Sequence, residues 1–325
     1  MKVNLLRKIT LRKAISEALS EEMLRDSRVF IMGEDIATGG AYSGVTKDLP
    51  DIVGKDRVIN TPISESCFTG AALGAALRGF RPIIEFMLGD FYTTAADQII
   101  NQIAKARYMS GGKVYVPVTL RLPTGGYLSQ ASQHSQSPET VYIHTPGIKV
   151  VYPSGAYTAK GLLKSAIRDD NPVAFMEPKV LYEAEEDVPE EEYIIPIGKS
   201  NVLSKGNDLT IAAYGYQVHQ TKKAIESLPQ YSIELIDLQS LDPLDMDSIL
   251  SSVSKTGRLL LVQEDYAICS IAEHIAYNVY SNISLKSKIK IISSKYSPIP
   301  FSPPLEKFVL PQVEDISKAI REILA

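Results

Sequence analysis

Apolar residues recur along this chain in two rhythms, short continuous runs and longer stretches at helical spacing, and their alternation predicts the fold. The first helical stretch runs from Thr10 to Arg25, with Ile15, Ala18, Leu19 and Met23 on one side and Thr10 placed to cap it. Val29-Phe30-Ile31-Met32 then reads as a buried parallel strand ending at Gly33-Glu34-Asp35. After Val58-Ile59-Asn60 and a proline, the run Phe68-Thr69-Gly70-Ala71-Ala72-Leu73-Gly74-Ala75-Ala76-Leu77 predicts a helix of small residues, with Glu65 at its start. Gly70 and Gly74 lie one turn apart, so that side of the helix is bare enough for another backbone to approach. Arg81 to Met87 is a further strand, Thr93 to Ala106 a helix broken by Ser110-Gly111-Gly112, and Val114 to Leu120 a strand leading into a loop from Pro123 to Ser137. Gly147 to Pro153 and Val173 to Glu177 are strands on either side of a helix over Ala156 to Arg168.

The stretch Glu183 to Glu192 is rich in acid and proline without periodicity, the look of a linker. Beyond it the pattern restarts, with strands at Leu209–Gly215, Ile233–Leu238, Leu259–Glu264 and Ile289–Ile292, and helices at Gln217–Leu228, Ile271–Tyr280 and Val313–Leu324. Strands alternating with helices predict an α/β protein with mostly parallel sheets in both halves. The division expected is residues 1–186, a linker over 187–200, and residues 201–325. A length of 325 residues suits two such units.

Composition narrows the function. A formal charge of −4 gives no basic surplus for nucleic acid, and no run reaches the roughly 20 apolar residues of a membrane span. The two cysteines, Cys67 and Cys269, have no ligand spacing, and the first residues lack a signal-peptide core, so a cytoplasmic protein is expected.

Candidate chemistry gathers where strands end, because ligands of open α/β sheets bind there. Glu34 and Asp35 follow one strand; as plain surface carboxylates they would need no ligand. Glu65 is either an anion favoured by the helix dipole or a partly desolvated carboxylate able to pass a proton. Gly89-Asp90-Phe91-Tyr92 is a second such edge, whose aromatics either fill core or stack on a flat ring. His134, one of four histidines, sits in a Ser/Gln-rich loop, and Ser135 beside it lacks the glycine elbow of a hydrolase nucleophile. No Gly-x-Gly-x-x-Gly or P-loop is present, and Gly89-Asp90-Phe91 falls short of the Gly-Asp-Gly with downstream Asn that holds magnesium and diphosphate in thiamine diphosphate enzymes. Any diphosphate would have to be gripped by another chain.

Several phrases together carry a resemblance: Met32-Gly33-Glu34-Asp35, Asn60-Thr61-Pro62-Ile63-Ser64-Glu65, Asp97-Gln98-Ile99-Ile100-Asn101, Tyr108-Met109-Ser110-Gly111-Gly112, Gln133-His134-Ser135-Gln136-Ser137-Pro138-Glu139 and Pro146-Gly147-Ile148-Lys149-Val150-Val151. Along its whole length the chain resembles the beta subunit of the decarboxylating first component of 2-oxo acid dehydrogenase complexes. The resemblance implies a transketolase-type pyrimidine-binding domain followed by a transketolase-type C-terminal domain. It also implies an alpha2-beta2 assembly in which an alpha subunit holds the magnesium and diphosphate of thiamine diphosphate, and a lipoyl acyltransferase as the next partner. His134 to Glu139, Glu177 to Tyr182 and Lys255 to Leu260 are closer to the branched-chain 2-oxo acid type, with 3-methyl-2-oxobutanoate as substrate; Tyr108 to Gly112 is closer to the pyruvate type, and pyruvate or acetoin is the alternative. A non-catalytic docking scaffold of the same fold is a further alternative.

Carried over by residue, Glu65 matches the glutamate bonded to the aminopyrimidine ring nitrogen, and Phe91 the aromatic packed on that ring, where branched-chain relatives often carry Tyr. Glu34 matches an acid near the ring at the subunit boundary. His134 matches the histidine that steadies the intermediate or donates a proton as the acyl group leaves for the lipoyl arm. Val118 or the neighbouring Thr119, with Ala166, Ile167, Asp169 and Asn171, matches a structural potassium site built mostly of carbonyls.

Overall fold

A computed structural model describes residues 6–325. Strand β1 (Leu6–Thr10) leads into the Leu11–Arg25 helix, which Thr10 caps by accepting from the Lys13 amide at 3.1 Å. Strands β2 (Val29–Gly33), β3 (Val58–Asn60), β4 (Arg81–Glu85), β5 (Thr119–Thr124), β6 (Lys149–Val151) and β7 (Val173–Pro178) form one parallel array in the order β6-β7-β5-β4-β2-β3. Strands β4, β5 and β7 are buried along their whole length, as sheets covered by helices on both faces require. One face packs on the Leu11–Arg25 and Ala156–Arg168 helices through Leu11, Ile15, Leu19, Leu162 and Ile167. On that seam Lys160, fully buried, is held by Glu17 at 2.9 Å and Glu21 at 2.7 Å.

The acid- and proline-rich stretch is not free chain along its first half. Strand β8 (Glu185–Pro189) pairs antiparallel with β1, Leu6 opposite Pro189. The second sheet, ordered β14-β13-β10-β11-β9, contains β9 (Asn201–Ser204), β10 (Leu209–Ala213), β11 (Ile233–Asp237), β13 (Leu259–Tyr266) and β14 (Lys290–Ser294), all parallel except β9. Between β11 and β13 the chain crosses back, and strand β12 (Ser240–Asp242) joins the first sheet antiparallel beside β6. One of the apolar clusters therefore spans both sheets, with the Tyr152 and Tyr214 rings 5.3 Å apart.

Two expected elements differ. The strand expected at Val114 to Leu120 begins only at Thr119, because Pro117 lacks the ladder donor and the Val116 amide is spent on the Asp170 carbonyl. The helix expected over Thr93 to Ala106 is instead a 3₁₀ segment (Gly89–Ala95), a π segment (Asp97–Ile103) and a short α-helix (Ala104–Met109). The π segment sets Gln98 against Gly70, 3.2 Å from where a Cβ would stand. Part of the bare glycine face is thus used inside the chain, while Gly74 meets nothing within 4 Å. Helices at Met246–Thr256 and Pro303–Val309 were not expected. No described helix is long and apolar enough to cross a membrane.

Candidate active site

Strands β2, β4, β5 and β7 run parallel and end side by side, so the residues following them share one edge of the sheet. A fully buried ionic brace fixes that edge. The Arg121 guanidinium on β5 meets Glu177 on β7 through two bonds of 2.7 and 2.9 Å and Glu85 on β4 through a third, while Tyr182 donates to Glu177 at 2.7 Å. One guanidinium neutralises one carboxylate; burial therefore pushes the second, Glu85, up to about 7, with Arg121 opposing.

Above the brace, β2 delivers Glu34, whose carboxyl is buried and whose Oε1 finds no partner among the described residues. Gly33 allows this approach, since a Cβ there would stand 2.5 Å from the Glu85 carbonyl. The turn after β3 is tied back by the Thr61 amide bonded to the Gly33 carbonyl at 2.9 Å. It ends at Ser64, and the Glu65–Leu77 helix begins with Glu65 half-buried. Burial raises the proton affinity of Glu34, and the charges of Glu65 and Asp35 raise it further, so the three carboxylates lie within electrostatic reach of one another.

The Glu65–Leu77 helix packs against the Gly89–Ala95 segment that follows β4 and carries Phe91. The exposed His134 ring meets Phe91 edge to face, centroids 5.6 Å apart at 83°. His134 rides on the loop after β5, which closes through the Gly125 amide on the Gln136 carbonyl, 2.9 Å. In this loop Tyr127, Ser129 and Ala131 all have left-handed backbones, with φ of 68°, 55° and 64°. Non-glycine residues hold that conformation only where the surroundings enforce it. Asp90 accepts from the Gln136 amide at 3.0 Å and its side chain at 3.1 Å, Glu264 from the Gly126 amide at 2.6 Å, and Glu306 from the Ser129 amide at 3.0 Å. Beneath the loop lies Lys179, almost fully buried just past β7; its ammonium donates to the His134 carbonyl and, at 3.0 Å, to Gln130 Oε1. Burial pulls Lys179 down to about 8 against the charges of Asp90, Glu264 and Glu306. Behind the loop a cavity of about 270 Å³ is lined by Tyr92, Ser135, Thr140, Glu264 and Asp265.

Phe91 and His134 are thus in ring contact at this edge, and Glu34 and Glu65 lie within electrostatic reach of each other there. Sequence reasoning missed Lys179, Glu264 and Glu306, whose only local signal was the position of Lys179 and Glu264 near strand ends. A buried carboxyl oxygen without a partner among the described residues, near an aromatic–imidazole contact, can accept from the polar edge of a flat heterocycle of the kind the resemblance implies.

The expected potassium set is engaged otherwise. Arg81 donates to the Ile167 carbonyl at 2.9 Å and to the Asp169 carbonyl, and the Asp169 carboxylate is bonded to Lys149 and Asn171. The Val118 carbonyl accepts from Val173, and Ala166 from the Asp169 amide. Arg107 holds Asn171 Oδ1 at 2.8 Å. Arg81, Lys149 and Arg107 thus surround this set, while each carbonyl keeps a second lone pair beside the hydrogen bond it accepts. Among the described residues no group of three or more His, Cys, Asp or Glu side chains is placed to hold a metal ion.

Residues 7–185 match the family described as the transketolase pyrimidine binding domain, and residues 198–316 the transketolase C-terminal domain. The chain is 44% identical to the acetoin:2,6-dichlorophenolindophenol oxidoreductase subunit beta of Cupriavidus necator, covering 98% of each. It is 43% identical to the pyruvate dehydrogenase E1 component subunit beta of Rickettsia felis (97% of this chain, 98% of that one) and 40% identical to the 2-oxoisovalerate dehydrogenase subunit beta of Bacillus subtilis (95% and 97%). In fold it is similar to a solved split-gene transketolase described as an inactive beta4 tetramer, with a TM-score of 0.78 over 97% of this chain and 98% of that one at 20% identity.

Proposed function

The chain belongs to the beta subunits of the 2-oxo acid dehydrogenase family, built on the two transketolase domains, and from that premise we propose that it supplies half of a thiamine diphosphate active centre completed by an alpha subunit. The observation that carries this is the buried Glu34 just past β2, with a carboxyl oxygen left to bond and with the charge of Glu65 at the neighbouring helix start raising its proton affinity.

In this assignment Glu65 hydrogen-bonds the ring nitrogen of the pyrimidine, accepting from the N–H of the imino tautomer that it favours, and burial and the Glu65 charge favour the protonated form of Glu34. Phe91 packs on the ring face. His134, edge to face with Phe91 and open to solvent, donates a proton as the acyl group is passed on. When bound, thiamine diphosphate supplies the nucleophilic carbon and the electron sink for decarboxylation. Its diphosphate and magnesium fall to the alpha chain of an alpha2-beta2 assembly, since this chain has no Gly-Asp-Gly motif to hold them. The acceptor proposed is the lipoyl arm of an acyltransferase.

For substrate we favour 3-methyl-2-oxobutanoate, on the phrases His134 to Glu139 and Glu177 to Tyr182. Pyruvate or acetoin is the second reading, favoured by the names of the Rickettsia and Cupriavidus relatives. The test is reconstitution with a matched alpha chain and turnover of all three compounds. Glu65→Gln is expected to lower turnover by about 10² to 10⁴. Unchanged turnover would leave only a docking scaffold.

A further inference from the structure

Three carboxylates from three elements converge on the loop that carries His134. Asp90 comes from the segment after β4, Glu264 from β13 and Glu306 from the Pro303–Val309 helix. All three are almost fully buried, and between them they hold the amides of Gly126, Ser129 and Gln136 and the hydroxyls of Ser129 and Ser137. Carboxylates only accept, so they can anchor the loop's donors but not its carbonyls. Converging buried anions also repel one another unless a cation stands among them. Lys179 is the cation whose charge Asp90 and Glu264 both feel, and it is the donor that takes the His134 carbonyl.

We propose that Lys179 is the positioning residue for His134: its buried ammonium, gripping the His134 carbonyl from below, fixes where the imidazole stands over Phe91. The proposal rests on the role given to His134 above. Its geometry is independent of that role, because three left-handed residues, Tyr127, Ser129 and Ala131, lie between the sheet and His134 and would relax once the clamp is released. Lys179 itself cannot drift. It follows Pro178 at the end of a fully buried strand, and the adjacent Glu177 is bonded to Arg121. The same loop is tied to the C-terminal half by Glu264 on β13 and by Glu306 on the Pro303–Val309 helix, so the imidazole is positioned from both halves at once.

The experiment compares Lys179→Met and Lys179→Arg in the full chain and in the assembly reconstituted with an alpha subunit. Amide hydrogen exchange is read over residues 125–137, with the Glu65–Leu77 helix as internal reference. Lys179→Met is expected to speed exchange of the loop about tenfold or more, leave the helix unchanged, and lower kcat about 10- to 100-fold with KM for the 2-oxo acid altered less than about twofold. Lys179→Arg, which keeps charge and donors, is expected to restore most of both. Loop exchange that stays as in the wild type overturns the proposal, whatever turnover does. A loosened loop with unaltered turnover upholds the clamp and removes His134 from the chemistry. Should Lys179→Met fail to fold, Lys179→Gln is read by the same two measurements.

Discussion

Replacing Glu85 with glutamine tests the brace beneath the site. Glu85 shares Arg121 with Glu177, and Glu177 holds the guanidinium through two bonds, so the ionised form of Glu85 is the uncompensated one. Its carboxyl titrates at about 7 instead of the usual 4.5. The folded chain binds this proton more tightly than the unfolded chain does. The stability it contributes is therefore fully present below about pH 4.5 and lost as the pH rises through about 7. At about 1.4 kcal/mol for each tenfold in proton affinity, the loss amounts to about 3 kcal/mol. Glu85→Gln keeps an acceptor for Arg121 and has no proton to lose. Urea unfolding of wild type and variant from pH 5 to 8 should show the variant gaining most of that amount over the window. Asp237, pushed up to about 6 by burial, and Glu139, raised by burial beside Asp265, are common to both chains and cancel in the difference. Parallel stability curves would refute the assignment of the shared charge.

Two further predictions follow from the same packing. Arg121→Met strands both carboxylates in the interior and should cost about 3–5 kcal/mol by the same unfolding assay; a loss under about 1 kcal/mol would show that the brace is dispensable. Gly74→Leu should stabilise the isolated chain by about 1 kcal/mol, since its Cβ meets nothing within 4 Å and glycine is a poor helix former. In the assembly the same leucine fills the approach left for a partner, and size-exclusion chromatography should show the complex with the alpha subunit lost; an intact assembly would remove that face from the interface.

The sequence by itself determined the elements whose burial is written in unbroken apolar runs, such as Val29–Gly33, Val173–Pro178 and Leu209–Ala213, and those whose caps are local, such as Leu11–Arg25. It also singled out Glu34 just past a strand, Glu65 at a helix start, Phe91 in the segment after another strand and His134 in a Ser/Gln-rich loop. The Met246–Thr256 helix was legible in retrospect from its caps, Asp245 accepting from the Ser248 amide and Gly257 left-handed at φ 71°. Strand β12 was not, since three residues entering another sheet leave no periodicity and are held there by the partner strand. Nor could any local pattern place Lys179 under His134, 45 residues away, among acids from β13 and the Pro303–Val309 helix. Buried charges are stable only where distant segments converge to pair them. Their roles were therefore decided by the tertiary fold.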